Sequence, residues 1–598
     1  MQKPTTDILE RIKLNSSAHK DGVYTRLYRY LLREDIYYLA YQKLYSNSGA
    51  ATKGTDGDTA DGFGGKYVAS LISDLKNGTY TPKPVRRKYI KKSNGKMRPL
   101  GIPSFRDKLL QEVIRSFLEA IYEPIFSEHS HGFRPGKSCH TALIQAKNHF
   151  RGTRWFIEGD IKGCFDNIDH AKLIEILSNK IKDSKFINII RSFLKAGYVE
   201  DFVYHNTYSG CPQGGVISPI LANIYLNELD KKVAEIKAEF DKPPVTVYTR
   251  DYAYVGTKIY RLKAKLKGME NSEEKATLLA EISALEKLRR KLPAKSPTDK
   301  KLAYVRYADD FLIAVNGSKE DCEQIKRQLA EFLYNEYRLT LSEEKTLITH
   351  SSERVRFLGY NISVRRNQST ITDSSGRKKR HLNNSVALTV PFDKIEKFML
   401  EKGAVRQTEA KKFKSIHRKG WLYLPDYEIV ERYNAEIRGI LNYYCLTVDF
   451  NKLSYFAYLM EYSCYATLAG KYDSSISKIK EKYRKGGQWV VQYKTPNGTT
   501  KEKRLAKVSD YTNRRCVPCE DTLAKHRWTL YKSASIWARL RAGVCELCGS
   551  REKVHFEVHH VPKVKDLNGA EVWEQIMKAK RRKTLIVCED CHVAIHAN

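Results

Sequence analysis

Two adjacent carboxylates inside an apolar run constrain this chain more than anything else in it: YVRYADDFLIAV, residues 304–315. A buried strand has no place for Asp309 and Asp310, because an unpaired charge taken out of water costs several kcal/mol. The run therefore reads as two strands, YVRY and FLIAV, with both aspartates at the tip of the hairpin that joins them. A simple acidic turn satisfies that pattern as well. A second segment, WFIEGDIKGCFDNIDH (155–170), brings Asp160 to the end of another apolar run and then starts a helix, DHAKLIEIL, capped by Asp169.

Should Asp160 and Asp309 meet, two like charges about 4 Å apart repel by roughly 4 kcal/mol at an effective dielectric of about 20. Only a cation makes such a site stable. Hard oxygen ligands drawn from few carboxylates, with positions left for water and phosphate, suit Mg2+. Two such ions roughly 3.5–4 Å apart stabilise the attacking and the leaving oxygen of an in-line phosphoryl transfer. Nucleotidyl transfer is the chemistry that fits.

The charge balance agrees. Lys and Arg number 105 against 69 Asp and Glu, a net +36, which calls for a polyanionic partner. Nucleic acid fits better than a membrane, since no amphipathic anchor and no run of 18 apolar residues occurs, and 38 tyrosines offer stacking faces with polar tips. The opening MQKPTTDILERIKLN carries no apolar leader, so a soluble intracellular protein is expected.

The 598 residues exceed what one core supports and fit about four domains of ordinary size. Helices open the chain (LLREDIYYLAYQKLY, 31–45), followed by a loop rich in Gly, Ser, Thr and Asp, SNSGAATKGTDGDTADG (46–62). From about 85 short β-branched runs alternate with amphipathic helices, as in an α+β domain, interrupted by a charged helical insertion at about 240–300. Beyond about 385 the helical period takes over. In PDYEIVERYNAEIRGILNYYCL (425–446) Val430, Tyr433, Ile437, Ile440, Leu441 and Tyr444 share a face behind Pro425 and a capping Asp426, while Arg438, Asn442 and Tyr443 lie close together. A basic stretch at 478–540 interleaves Trp489, Tyr493, Tyr511 and Trp528, the composition of either a DNA-binding surface or a solvated linker.

Further blocks stand in a fixed order around the acidic hairpin: KMRPLGIPSFRDKLLQEVI (96–114), HGFRPGKSCHTAL (131–143), CPQGGVISPILANIYLNELD (211–230), LSEEKTLIT (341–349) and RFLGY (356–360). Together with YADD they resemble the group II intron-encoded proteins, over nearly the whole chain. The resemblance implies a multidomain α+β fold: N-terminal extension and start of the fingers (1–84), reverse transcriptase fingers and palm (85–384), helical thumb or maturase X domain (385–485), DNA-binding region (486–540) and a nuclease domain (541–598). It implies that Asp160, Asp309 and Asp310 hold the two-ion Mg2+ site, with Asp160 and Asp309 as bridging ligands. Phe165, five residues after Asp160, would block a ribose 2′-OH. Gln213 would meet the nucleotide, and Lys96 and Arg98 the incoming triphosphate. A core phenylalanine, an ordinary turn and ordinary surface cations are the plainer readings of Phe165, of the PQGG tetrapeptide around Gln213, and of Lys96 and Arg98.

Two C-x-x-C pairs close the chain, Cys545/Cys548 and Cys588/Cys591, with 39 residues between them. That spacing suits a tetrahedral structural Zn2+. A third pair, Cys516/Cys519, has no evident partner. Four thiolates saturate one zinc, so His559, His560, His592 and His596 need another task. EVHH and CEDCHVAIH resemble an HNH endonuclease of the ββα-metal fold, which implies His560 as general base and His559, His592 and His596 around a second divalent ion, with Mg2+ preferred and Glu557 assisting. Thr584 stands where that pattern carries an asparagine. A purely structural zinc finger is the alternative.

The function expected is therefore that of a mobile-intron protein: binding intron RNA, assisting its splicing, nicking target double-stranded DNA, and extending the 3′ end with deoxynucleoside triphosphates. A bacterial cytoplasmic protein, nucleoid-associated when acting on DNA, is implied, and a homodimer is compatible with the sequence. A splicing maturase with a vestigial polymerase is the rival reading, opposed by the intact acidic set. An RNA-dependent RNA polymerase is disfavoured by Phe165 and by Ala308.

Overall fold

The computed structural model describes residues 4–597 except 48, 92–94, 96, 213, 243–247, 267–272, 293, 295–299, 367–369, 373, 377, 381–382, 411, 496–497, 513–534 and 554, and the side chains of 378–380. Lys96, Gln213, Trp528 and the Cys516/Cys519 pair thus lie outside the described residues.

Why 304–315 is apolar without alternation becomes clear from what covers its sheet. Strands Lys301–Tyr307, Asp310–Asn316, Trp155–Asp160 and Ile348–His350 form a four-stranded antiparallel sheet in the spatial order just given. Leu302, Tyr304, Ile313 and Val315 point into one core, Ala303, Val305, Leu312 and Ala314 into another. Successive side chains leave a strand on opposite faces, so both sets must be apolar when both faces are covered. At Gly159 a Cβ would fall 2.1 Å from the Phe311 ring, so the cross-strand partner fills the place a side chain would take.

The first core gathers the N-terminal helices Thr5–Ala18, Glu34–Leu44 and Gly65–Asn77 around helix Phe105–Tyr122, which is buried on nearly every side. Ser104 caps that helix by accepting the Asp107 amide. Helices Ser218–Phe240 and Lys319–Tyr337 cover the same face of the sheet. A second four-stranded sheet, ordered Met97–Ile102, Val85–Lys91, Tyr198–Glu200, Val203–His205, stands beside it. Helices Arg250–Leu266 and Glu273–Lys291 pack on each other around Val255, Ile259 and Ile282, a small core of their own.

The second core holds the sheet Val355–Phe357, Tyr360–Val364, Val386–Thr389 and helices Phe392–Glu401, Asp426–Tyr443 and Leu453–Lys471. Val430, Tyr433, Ile437 and Leu441 are all fully buried there. Asp426 is not the side-chain cap expected of it; the N-cap is Pro425, and Asp426 instead accepts from Lys471 at 2.7 Å, Tyr472 at 2.6 Å and the Tyr483 hydroxyl. Strands Gln488–Lys494 and Thr500–Arg504 add Val491 to this core, with Leu505 just beyond them.

At the C-terminus strands Phe556–His560 and Thr584–Cys588 pair, with helices Val572–Lys580 and Glu589–Ala597 against them. A third strand joins them from the far end of the chain: Phe63–Gly64, antiparallel, with Phe63 opposite Val558 and Gly64 opposite Glu557. Val558 and Ile586 consequently belong to the first core. No described helix is long and apolar enough to cross a membrane.

Candidate functional site

The acidic hairpin turns through Ala308, whose φ of 56° lies in the left-handed region. That turn sets Asp310 opposite Asp160 in the strand register, with Asp309 at the tip. Burial, followed by the charges of Asp309 and Asp160, pushes the Asp310 carboxyl up to about 6. Burial and Asp160 raise Asp309 too, against the opposing fields of Arg98 and Lys345. Asp309 and Asp310 thus resist ionising beside one another, which is the electrostatic situation a cation relieves. Lys345, from LSEEKT, supplies one positive charge by donating to Asp160 at 2.7 Å.

What fixes the turn is a residue that sequence reasoning passed over. Arg306 is fully buried; its Nε and Nη2 donate to the two oxygens of Asp230 at 2.7 and 2.6 Å, and its Nη1 donates to the Ala308 carbonyl at 2.7 Å. Tyr304 adds its hydroxyl to Asp230 at 2.8 Å. An arginine in the middle of an apolar strand was the available signal. The HGFRPG block braces the same turn: His131 donates its amide to the Arg306 carbonyl at 2.9 Å, and a Cβ at Gly132 would sit 2.4 Å from the Ala308 nitrogen.

Phe165 stands two residues after Gly163, which takes φ 56° as the N-cap of helix Cys164–Asn167. Its ring meets Phe133 edge-on at 6.4 Å, and its carbonyl accepts the Cys211 amide at 2.7 Å, tying it to the CPQGG block. An open cleft of about 430 Å3 runs beside it, lined by Arg87, Pro99, Gly101, Asp166, Tyr208 and Pro212. Arg98 lies on strand Met97–Ile102, across from Ile90.

A second site assembles at the C-terminal hairpin. His559 and His560 end one strand, and His592 and His596, four residues apart, project from one face of the last helix. Asp61, from the loop at 46–62, stands among them. Its Oδ2 lies 2.7 Å from His596 Nε2 and 3.3 Å from His592 Nε2; its Oδ1 lies 3.3 Å from His559 Nδ1 and accepts the His560 amide at 2.6 Å. Glu557 holds the other nitrogen of His592 at 2.7 Å, an outer carboxylate of the kind that orients metal-ligating imidazoles. Buried Nδ1 of His559 and Nε2 of His592 make no hydrogen bond beyond these 3.3 Å contacts with Asp61, and buried Nε2 of His559 has no hydrogen-bond partner. One atom each from Asp61, His559, His592 and His596 falls within 4.8 Å of the others. Thr584 pairs opposite His560 and is itself held by Arg539, which donates to its hydroxyl and its carbonyl at 3.0 Å. Asp61 and Arg539 were both missed in the sequence, since neither lies within the HNH-like blocks.

The sulfurs of Cys545, Cys548, Cys588 and Cys591 likewise all lie within 4.8 Å of one another, Cys548 and Cys588 at 3.9 Å. Tetrahedral Zn–S bonds of about 2.3 Å place sulfurs roughly 3.8 Å apart. Burial raises the Cys545 thiol, but amide donors from Cys548, Cys588 and Leu547 outweigh it and bring it down to about 7. Among the described residues these two clusters are the sets of three or more His, Cys, Asp or Glu that close so tightly; Asp160, Asp309 and Asp310 are more open.

In the helical region Tyr443 is structural rather than free for a ligand: its hydroxyl donates to Leu358 at 2.7 Å and its carbonyl meets His140 at 2.8 Å. Trp489 is absorbed against Tyr465 at 5.0 Å, whereas Tyr493 stacks on Tyr427 at 4.4 Å. Arg438 and Arg504 line a cleft of about 320 Å3 with Asp510 and Tyr511.

Acidic hairpin, helical region and histidine cluster together define a reverse transcriptase joined to a maturase region and a nuclease. Residues 90–362 match the family described as reverse transcriptase (RNA-dependent DNA polymerase), 383–529 the type II intron maturase, and 545–592 the AI2M/AI1M-like HNH endonuclease. The chain is 52% identical over 595 residues to the group II intron-encoded protein LtrA of Lactococcus lactis subsp. cremoris, covering 99% of this chain and 98% of that one. It is 38% identical over 579 residues to an uncharacterized 91 kDa protein in the cob intron of Schizosaccharomyces pombe (95% and 69%), and 33% over 613 residues to the putative COX1/OXI3 intron 2 protein of Saccharomyces cerevisiae (99% and 68%). The chain belongs to the group II intron-encoded proteins. It is a multifunctional member, with RNA-directed DNA polymerase, maturase and DNA endonuclease activities.

Proposed function

We propose that this protein carries out target-primed reverse transcription with the residues assembled above, in a right-hand arrangement of fingers, palm and helical thumb. The observation that carries the reading is the register of Asp160 against Asp310 beneath a turn locked by Arg306. Asp160 and Asp309 would hold two Mg2+ ions, with Asp310 beside them, and the ions would stabilise the attacking 3′ oxygen and the leaving pyrophosphate. Arg98, within the electrostatic reach of Asp309, and Lys96 would receive the triphosphate. Gln213 would meet the nucleotide, and the Phe165 ring would stand against its sugar. A positively charged helical surface would hold intron RNA by phosphate and shape.

At the other centre His559, His592 and His596 would hold a divalent ion, Mg2+ by preference, at the scissile phosphate, and His560 would take the proton from the attacking water. A Zn2+ in the four-cysteine cluster would fasten the Cys545–Cys548 segment to the end of strand Thr584–Cys588 and the start of the last helix. The test is separation of the two chemistries. Asp309→Ala should abolish cDNA synthesis and spare RNA binding and splicing; His560→Ala should abolish nicking and spare extension of an annealed primer. Loss of splicing in a folded Asp309→Ala protein, or undiminished nicking by His560→Ala, overturns the respective assignment.

A further inference from the structure

The histidines of the nuclease face a carboxylate that the nuclease region does not contain. Asp61 comes from the far end of the chain and touches all four histidines, three through ring nitrogens and His560 through its amide. Its placement is over-determined. The Gly62 amide donates to the Val558 carbonyl at 3.1 Å, Phe63 and Gly64 extend the nuclease sheet, and the Phe63 ring stacks on Tyr41 at 4.0 Å. Gly62 takes φ +73°, and a Cβ at Gly64 would lie 2.6 Å from the Phe556 carbonyl, so the approach depends on both glycines.

Two consequences conflict with cutting in this arrangement. A divalent ion held by three imidazoles takes substrate oxygen at its remaining positions, and here a carboxylate of the protein competes for them, Asp61 lying within 3.3 Å of a ring nitrogen of each imidazole. The general base is also shut away from solvent: His560 is only 7% exposed, its Nε2 lies 3.2 Å from the Tyr45 backbone carbonyl, and its Nδ1 is buried with no hydrogen-bond partner. Tyr45 and Asp61 flank the same glycine- and aspartate-rich loop.

We infer that residues 60–64 are an internal plug of the nuclease, with Asp61 competing for a ligand position that a DNA phosphate oxygen would take and Tyr45 capping His560. Cutting requires the plug to leave. Duplex DNA is the competitor that removes it, because its phosphates offer the same hard oxygen ligand and a highly basic chain gains further phosphate contacts along the duplex. The inference rests on the nuclease assignment above and adds the gate to it.

The experiment uses the full-length protein with its intron RNA and a duplex spanning the intron's insertion site. Asp61→Ala removes the competing carboxylate; Gly64→Val, through the 2.6 Å clash, ejects the plug while keeping every histidine. Both should nick at least about tenfold faster than wild type, with thermal unfolding confirming that each variant is folded. Hydrogen exchange supplies the readout independent of turnover: the Gly62 and His560 amides should be protected in the free protein and lose protection when the duplex is bound. Nicking that falls or stays level in both variants, or protection that persists on DNA, overturns the plug. Active His560→Ala protein would defeat the nuclease assignment itself, whereas inactive His560→Ala with unchanged Asp61→Ala and Gly64→Val defeats the gate alone.

Discussion

Arg306 and Asp230 form a two-pronged ion pair sealed from solvent directly under the acidic turn, at 2.7 and 2.6 Å. Breaking one partner of such a pair leaves the other charge buried, a loss of about 3–5 kcal/mol. Arg306→Met and Asp230→Asn should therefore lower the urea midpoint and, at temperatures where the protein is still folded, reduce primer extension at least about 100-fold as Ala308 loses its donor. Arg306→Lys should not restore it, since a single ammonium cannot grip both oxygens and the carbonyl. Full extension by either first variant would remove the turn-positioning role.

Phe165 closes the sugar side of the nucleotide in the proposed site. Shortening it to Val should raise ribonucleotide incorporation relative to deoxyribonucleotide by roughly 10- to 200-fold, the range that a single methylene commands in an apolar pocket. The check is the ratio of kcat/KM values for matched nucleotide pairs. An unchanged ratio would return Phe165 to a purely structural role beside Phe133.

The four-cysteine cluster predicts one tightly held zinc per chain. Stripping it with a chelator, or Cys588→Ser, should unfold the hairpin and last helix, abolish nicking, and leave extension of an annealed primer within about twofold, because most of the first core lies outside the affected strands. Metal analysis and the two assays run side by side decide it; nicking that survives full zinc loss would refute the structural role.

A net charge of +36 should make intron RNA binding strongly dependent on salt through counterion release. For roughly six or more phosphate contacts, affinity should drop by at least about 1,000-fold between 50 and 200 mM salt. A flat titration would mean that the excess of lysine and arginine does not face the RNA.

Much of the acidic site was legible in the sequence because its parts are short and local: a polar pair inside an apolar run, an aspartate ending another run, a capping Asp169 that does accept the Lys172 amide at 2.9 Å. The cysteine set was legible through spacing, and the histidine set through its likeness to the HNH pattern. What escaped were residues whose meaning depends on distant partners. Arg306 stands out as a charge inside an apolar strand, but its role shows only once Asp230, from helix Ser218–Phe240, is placed against it. Asp426 looked like a cap because it follows proline, yet three donors from later helices claim its carboxylate. Asp61 sits in a loop whose composition says only that it can bend; nothing local shows that a strand near the other terminus receives it.

That pairing of Phe63 with Val558 also sets an order of events during synthesis. At about 5–20 residues per second the ribosome needs roughly half a minute or more to travel from one partner to the other. For that interval Phe63 and the loop before it have no sheet to join, while the acidic hairpin and its core can already close. The nuclease is completed last, beside a neighbour already waiting to receive it, so each newly made chain has polymerase and RNA-binding surfaces before it has a blade, and the blade arrives sheathed.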